Sequence, residues 1–436
     1  MPFRLWVFFL LGVSYQGMIS AQPLQPSALP EPLSLEYALS LAEQHHPDLL
    51  AAKLDIEQSL AVRQELEAAS SLSASLNGRA RWLGLPNTDG TTEDHALGIS
   101  IKKPLYDFGV SEQKEQAATL YEASSKLIYQ SKLENRRQDI MRRYFDVLLA
   151  DLEFFRENER MAGAFIRWDR ARKRQSLGLS DDLEILKLER IYQKVRKDRY
   201  TTQGMQRVTR ARLALALNRP GMLPSTLSKP ALPQLERKVP DVELMQAWAR
   251  QHNPTLRALQ KRYQAAQAKL EAARSGSGLK LDAEVGVASY TMQPASRDDW
   301  RVGINFNYPL YSGGRDDAKV AKALTEKYKS KNNFNRAVMD IEQAILEVWT
   351  KLGSLKIERE EMLVLNDYQG LNLDHTRIIY EQGLQTSLGT SMVEVTNAEW
   401  MLAKTEYQMA VLWLQLEGLI GLPFESFPQQ EKKQGQ

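Results

Sequence analysis

Few residues of this chain have the spacing that chemistry requires. There are five histidines and no cysteine among 436 residues. His45 and His46 are adjacent and cannot share a helix face, while His95, His252 and His375 are scattered. No GxSxG, HExxH or phosphate-loop pattern occurs. Neither catalysis nor a bound metal or cofactor is expected. The ionisable residues with informative spacing lie in short alternating segments, where Arg79, Arg81, Lys102 and Arg301 share one face with Asp282 and Glu284. That face is polar, mixed in sign and mildly cationic.

The segments that position those charges read as strands. In 72–82, Leu72, Ala74, Leu76, Gly78, Ala80 and Trp82 alternate with Ser73, Ser75, Asn77, Arg79 and Arg81. Leu97, Ile99 and Ile101 alternate with Gly98, Ser100 and Lys102, and Leu281, Ala283, Val285 and Val287 with Asp282, Glu284 and Gly286. Val302, Ile304, Phe306 and Tyr308 oppose Arg301, Gly303, Asn305 and Asn307. Trp82, Tyr290, Trp300 and Tyr308 stand near segment ends, as lipid-interface aromatics would. Period-two alternation with charges on one side and aromatics at the ends is the pattern of membrane β-strands, with charges toward a wet lumen. A half-buried soluble sheet shares the alternation; the ionic faces and an export signal favour the membrane. Four strands cannot close a barrel, and open edges in hydrocarbon leave backbone groups unsatisfied. Two protomers would supply eight strands and three would supply twelve; strand physics leaves that choice open.

The elements recur about 205 residues apart. His46-Pro47 returns as Asn253-Pro254, and Pro104-Leu105-Tyr106-Asp107-Phe108-Gly109 as Pro309-Leu310-Tyr311-Ser312-Gly313-Gly314. Leu177-Gly178-Leu179 matches Gln382-Gly383-Leu384, and Leu217-Asn218-Arg219-Pro220 matches Ile420-Gly421-Leu422-Pro423. The period is far longer than a solenoid unit, so it marks a duplicated half-molecule. Repeat 1 is placed at 22–220, with strands at 71–82 and 96–104, a long helix at 107–176 and a return helix at 181–217. A linker at 221–240 leads to repeat 2 at 241–423, with strands at 279–290 and 300–308, a long helix at 314–382 and a return helix at 391–420. A polar tail covers 424–436.

Proline is absent between Pro104 and Pro220, and again between Pro309 and Pro423. An interior proline costs a helix about 3 kcal/mol, so these spans favour continuous helix. At 1.5 Å per residue the first would reach about 105 Å. Ile140, Tyr144, Val147, Asp151 and Phe154 step by four and three, and Met141, Phe145, Leu148, Leu152 and Phe155 do so one position over. Val364, Tyr368, Leu371, His375 and Ile378 form such a seam in the second copy. Two adjacent seams give one helix a neighbour on each side, which allows closure into a ring.

Net charge is only +3, with basic and acidic residues interleaved, which gives no case for nucleic acid. Arg4, an apolar run from Leu5 to Val13 and small residues at Ser20-Ala21 form a secretory signal over 1–21. No other segment approaches a membrane-spanning helix. The fold class expected from the residues is mainly α with a membrane β part, in two tandem repeats of helix, strand, strand and long helical hairpin.

This arrangement resembles the TolC-like outer-membrane efflux family. The paired Pro-Leu-Tyr motifs look like that family's strand-to-helix junction, and Tyr380-Glu381-Gln382-Gly383 resembles its periplasmic tip turn. The resemblance implies a homotrimer, a 12-stranded β-barrel in outer-membrane lipid and a hollow α-barrel crossing the periplasm. It further implies docking to a periplasmic adaptor protein and an inner-membrane transporter, with passive passage of small molecules or unfolded protein. Gly178 and Gly383 would mark the two tips. Relatives often carry aspartates after the second tip; here Glu394 is the first acid, and Asp181 and Asp182 are the better gate candidates. Ser180 followed by those two aspartates equally suits a helix cap. The alternatives are a periplasmic adaptor, which needs one hairpin between β-rich halves, and a soluble structural coiled coil, which leaves the strands unexplained.

Overall fold

Two consecutive residues of left-handed backbone turn each outgoing strand into a long helix. They are Phe108 (φ 62°) and Gly109 (φ 81°) in the first copy, Gly313 (φ 65°) and Gly314 (φ 79°) in the second. A bulky residue at positive φ is strained, and a Cβ on Gly278 would lie 2.6 Å from the Phe108 ring. Asp107 secures the first junction: its carboxylate accepts from the Ser111 amide at 2.8 Å and from the Ser111 hydroxyl.

The computed structural model describes residues 29–44, 46–84, 91–178, 181–222, 225–292, 297–382 and 388–426. The first half contains α1 (Leu35–Ser40), α2 (Pro47–Ala69), β1 (Ser73–Arg79), β2 (Trp82–Gly84), β3 (Thr91–Glu93), β4 (Ala96–Tyr106), α3 (Val110–Gln175) and α4 (Asp182–Ala216). The second contains α5 (Val242–His252), α6 (Pro254–Ser275), β5 (Lys280–Tyr290), β6 (Trp300–Asn307), α7 (Arg315–Glu381) and α8 (Leu388–Ile420). The protein is mostly helical with one principal sheet. With 66 and 67 residues, α3 and α7 each extend about 100 Å. No described helix is long and apolar enough to cross a membrane.

The helices form a layer with α3 at its centre. Away from the sheet α3 lies between α4 and α8; near the sheet it lies between α2 and α6, and α7 packs on α8 and α6. The paired seams of α3 serve these different neighbours. Tyr144 is fully buried with Ile140 and Val147 in a cluster that includes Leu33 and Leu213. Its hydroxyl lies 2.8 Å from the Leu33 carbonyl and 2.6 Å from that of Ser228. Phe145, one position on, stacks at 4.4 Å on Tyr407 of α8. A second cluster joins Met245 of α5 to Ile345, Val348 and Leu352 of α7 and to Trp413 and Leu416 of α8. Near the sheet the contacts are alanines, Ala117 of α3 against Ala265 and Ala268 of α6, which let the backbones approach closely.

The sheet is antiparallel in the order β1-β4-β5-β6, so β1 and β6 are its edges. Several observed strand limits differ from the alternation, and β4 runs on to Tyr106, two residues past the expected end at 104. β1 stops at Arg79, and Trp82 opens a separate hairpin of β2 with β3. β6 ends at Asn307, leaving Tyr308 just beyond it. The helix limits fall close to the proline-free spans, except that α8 starts at Leu388.

A close approach closes the second half. Gly421 has φ 81°, and a Cβ there would meet the His252 carbonyl oxygen at 2.4 Å. Beside it the Asn253 side chain caps α6, accepting from the Leu256 amide at 2.9 Å, and donates to the Leu419 carbonyl at 2.8 Å. The matching left-handed residue of the first half is Asn218 (φ 54°), a residue type that tolerates this conformation. Left-handed backbone costs a side-chain-bearing residue about 1–2 kcal/mol. Gly314→Ala should incur that cost alone, since its Cβ would meet nothing. Gly421→Ala should lower the thermal midpoint distinctly more, and equal shifts for the two variants would contradict the close approach.

Candidate functional site

Of the residues predicted to share a polar face, Lys102, Asp282, Glu284 and Arg301 lie in rows set by the strand register, Arg79 ends β1 on that face, and Arg81 lies beyond the strand. Ser73, Lys102 and Glu284 are register partners across β1, β4 and β5, and Gly303 of β6 continues that row. Ser75, Ser100, Gly286 and Arg301 form the next row. Glu284 is the hub: Arg301 approaches its carboxylate at 3.3 Å, Lys102 at 3.9 Å, and Asn305 donates to it at 3.1 Å. Asp282 lies one row on, between Pro104 and Asn305. Ser75 and Ser100 join through their hydroxyls at 2.8 Å, and Asn77 donates to Ser100 at 3.0 Å.

The opposite face is apolar and bare. Leu76, Ile99, Val287, Val302, Ile304 and Phe306 are all exposed, Phe306 at 77 %. Trp300 pairs with Val287 on this face. Tyr290 does not belong to it. It pairs with Ala96 and has the parity of Glu284 and Asp282, so it stands on the polar face beneath the Arg297 guanidinium, 5.2 Å from its ring centre. Counting from Glu284 by twos exposes this parity. Trp82 packs edge-on against His95 at 5.0 Å in the small hairpin, away from the end of β1.

Arg79 and Arg81 have a partner that alternation could not show. Both reach Asp94, which is fully buried between β3 and β4. Arg297, from the β5–β6 connection, donates to the same carboxylate at 2.6 Å and 3.2 Å, and to the Met292 carbonyl at 2.7 Å. Backbone contacts reinforce the junction, with the Asp94 amide donating to the Arg81 carbonyl at 2.8 Å and the Thr291 amide to that of His95 at 3.0 Å. Hydrogen bonds from Arg297 and Arg81 hold the Asp94 carboxyl well below the ordinary carboxylate range. A lowered folded value adds stability above the unfolded carboxylate pKa of about 3.9, lost as pH falls through the folded value. The cluster therefore stays ionised in mild acid.

At the far end of the long helices, Gly178 (φ 70°) follows α3. Asp181 caps α4, accepting from the amides of Leu183 and Glu184. The cap is thus one residue later than Ser180, which lies outside the described residues, as does Gly383. Asp182 accepts from Gln175 of α3, and Glu394 is exposed in the second turn of α8. Asp181 and Asp182 both hold the hairpin turn together.

Solved structures share this fold, a sheet with one bare apolar face on a layer of helices about 100 Å long. CusC, described in the context of transmembrane channel formation, superposes with TM-score 0.74 at 17% identity, covering 92% of this chain and 96% of its own. The outer membrane protein VceC of Vibrio cholerae gives 0.72 at 17%, covering 89% and 96%. The MtrE outer membrane channel of Neisseria gonorrhoeae gives 0.71 at 15%, covering 89% of each. Protein CyaE of Bordetella pertussis is 22% identical over 400 residues, 89% of this chain and 82% of that protein. Residues 247–422 match the outer membrane efflux protein family. The second half of the chain is thus similar to that family.

Two outcomes test the site. Asp94→Asn should leave three arginines without their carboxylate and speed tryptic cleavage at Arg81 and Arg297; unchanged cleavage would show that the backbone contacts suffice. Asp181→Ala should cost about 1 kcal/mol of stability through the lost cap, and the Asp181→Ala/Asp182→Ala pair should change single-channel conductance if these residues gate. Unchanged conductance leaves them as caps alone.

Proposed function

We propose that three copies of this chain form a passive conduit through the outer membrane and periplasm. The observation that carries the reading is the open four-stranded sheet, bare and apolar on one face, charged on the other, with both edges unpaired. In hydrocarbon such edges must be satisfied, and β6 of one protomer against β1 of the next would do so around a ring. Three sheets supply a 12-stranded barrel, with the Glu284 and Asp94 clusters facing its lumen.

The helices support the same closure. In α7, Ile357, Val364, Leu371 and Ile378 recur every seven residues and are exposed by 66 %, 70 %, 72 % and 55 %. At the opposite edge, α4 exposes Leu183, Leu186 and Tyr200. Single apolar residues on a surface are ordinary, but a heptad stripe is a seam without its partner. Joining α7 to the next protomer's α4 would cover both and close the helices into a hollow α-barrel. Cargo then passes unchanged, with selection at the lumen charges and the tips, and energy comes from an inner-membrane transporter engaged through a periplasmic adaptor. Residues 1–21 act as the export signal. Drug, metal and protein export all fit this conduit.

Membrane fractionation tests the reading directly: the protein should partition with the outer membrane and open ion channels in planar bilayers, and recovery from the soluble periplasm would sink it. Val364→Asp combined with Leu371→Asp should abolish the trimer in native mass measurement. A trimer that survives both charges would remove the α7 seam from the interface.

A further inference from the structure

Between the sheet-proximal parts of α2, α3 and α6 lies a hollow of about 420 Å³. Val62 and Leu66 of α2 and Ala118 and Tyr121 of α3 give it an apolar lining, and Lys114 of α3 and Lys269 of α6 stand beside them. Positions 62 and 66 share one side of α2, and positions 114, 118 and 121 share one side of α3. The volume falls within the range of about 300–1,000 Å³ found for small-molecule sites, which are likewise mostly apolar with a few placed polar groups. Neither the strand rows nor the exposed helix seam accounts for these residues.

The hollow opens on one definite side of the helix layer. On α3, Glu122 pairs with Arg63 of α2 at 2.8 Å, and Ser124 accepts from Arg262 of α6 at 3.2 Å. Two residues of helix rotate by about 200°, so these contacts stand about 160° apart the other way round. Lys114, Ala118 and Tyr121 fall within that angle, whereas Glu112, Gln116 and Thr119 lie on the far side and are exposed. An angle below 180° makes the hollow's side the concave side of the three-helix arc. The acids nearby are already engaged. Arg63 holds Glu67 and Glu122 at 2.8 Å each, Lys126 holds Glu122 at 2.6 Å, and Glu115 accepts from the Ser70 hydroxyl at 2.9 Å. No carboxylate among the described residues lines the hollow. Lys114 and Lys269 are exposed and form no ion pair among the described residues; Lys269 stands over the Tyr121 ring, 4.3 Å from its centre.

We infer that this hollow binds a small acidic amphiphile, its apolar body against Val62, Leu66, Ala118 and Tyr121 and its anionic head on Lys114 and Lys269. Covering the apolar lining supplies the driving force. A lysine ammonium is a compact point charge on a flexible stem, so the pair attracts a carboxylate or sulfate head without fixing its orientation. A phospholipid of the surrounding leaflet is the poorer fit, because the concave side turns away from lipid when the layer closes into a ring. The inference rests on the conduit reading for that placement and deepens it, giving the passing cargo a chemical class: small anions with an apolar body.

The test uses the full-length protein in phosphatidylcholine nanodiscs and the fluorescent fatty-acid analogue dansylaminoundecanoate, whose blue shift is read against empty discs. Binding should saturate and weaken about tenfold in Lys114→Gln/Lys269→Gln. Val62→Trp, which fills the hollow from an exposed position, should weaken it at least as much, and the methyl ester of the probe should bind about tenfold less tightly than the acid. Binding that does not saturate, that is unchanged in the Gln variant, or that is equal for the ester overturns the inference. So does displacement of the probe when phosphatidylglycerol is added to the discs, which would place a lipid in the hollow. Absence of binding to the assembled protein overturns it too, as a neighbouring copy would then cover the site. Conduction by the probe-free protein in planar bilayers is read separately: binding without conduction counts against the conduit alone, and conduction without binding against this site alone.

Discussion

Backbone hydrogen bonding in an apolar medium is the constraint from which this structure follows. A β-strand in hydrocarbon needs a partner on each side, and the chain supplies four strands with two open edges. On the proposed conduit reading, closure would come from further copies, and the arc spanned by one sheet would set how many complete the ring. The helices inherit that arc, because each outgoing strand becomes a long helix within two residues. Left-handed backbone at 108–109 and 313–314 makes that turn possible without a loop. A flexible linker there would uncouple sheet from helices; two fixed dihedral pairs transmit the geometry of one to the other.

The features readable from residue order were those with a local period. Alternation over 97–103 and 280–287 defines two faces, and the register keeps them across all four strands. Proline-free spans likewise become α3 and α7. What stayed hidden depends on chain reversals whose geometry no local pattern encodes. Asp94 collects Arg79 and Arg81 through the β1–β4 pairing, and Arg297 because β4 pairs with β5 across the two halves. The one trace of it is that Arg79 and Arg81 flank the end of β1, where a membrane strand would place an aromatic. Trp82 instead pairs with Glu93 in the β2–β3 hairpin. Tyr290 lies near a strand end, yet its parity with Glu284 sets it on the polar face.

Duplication explains which positions were free to change. The left-handed residue after each return helix is kept as a conformation while its identity varies, Asn218 in one half and Gly421 in the other. Only the second half brings that position against backbone, at His252, and only there is a side chain excluded. The capping residues behave alike: His46 Nδ1 accepts from the Asp48 amide at 3.3 Å, and Asn253 makes the shorter contact in the tighter half. Backbone geometry is thus the duplicated property, and side chains follow local crowding.

That rule does not extend to the distal end of the first hairpin. The first turn is built from a left-handed glycine, an aspartate cap and a Gln175–Asp182 contact, all of which a neutral sequence could replace. Yet the turns of α3 behind it hold five basic residues against a single acid over 167–174. Mutual repulsion of exposed like charges on one helix disfavours such a run by a few tenths of a kcal/mol per pair, and packing gains nothing, since the buried side is carried by Ala164, Trp168 and Ala171. Between the halves, then, the backbone plan is duplicated while the charge is not: residues 166–200 carry eleven basic side chains and residues 371–405 carry two.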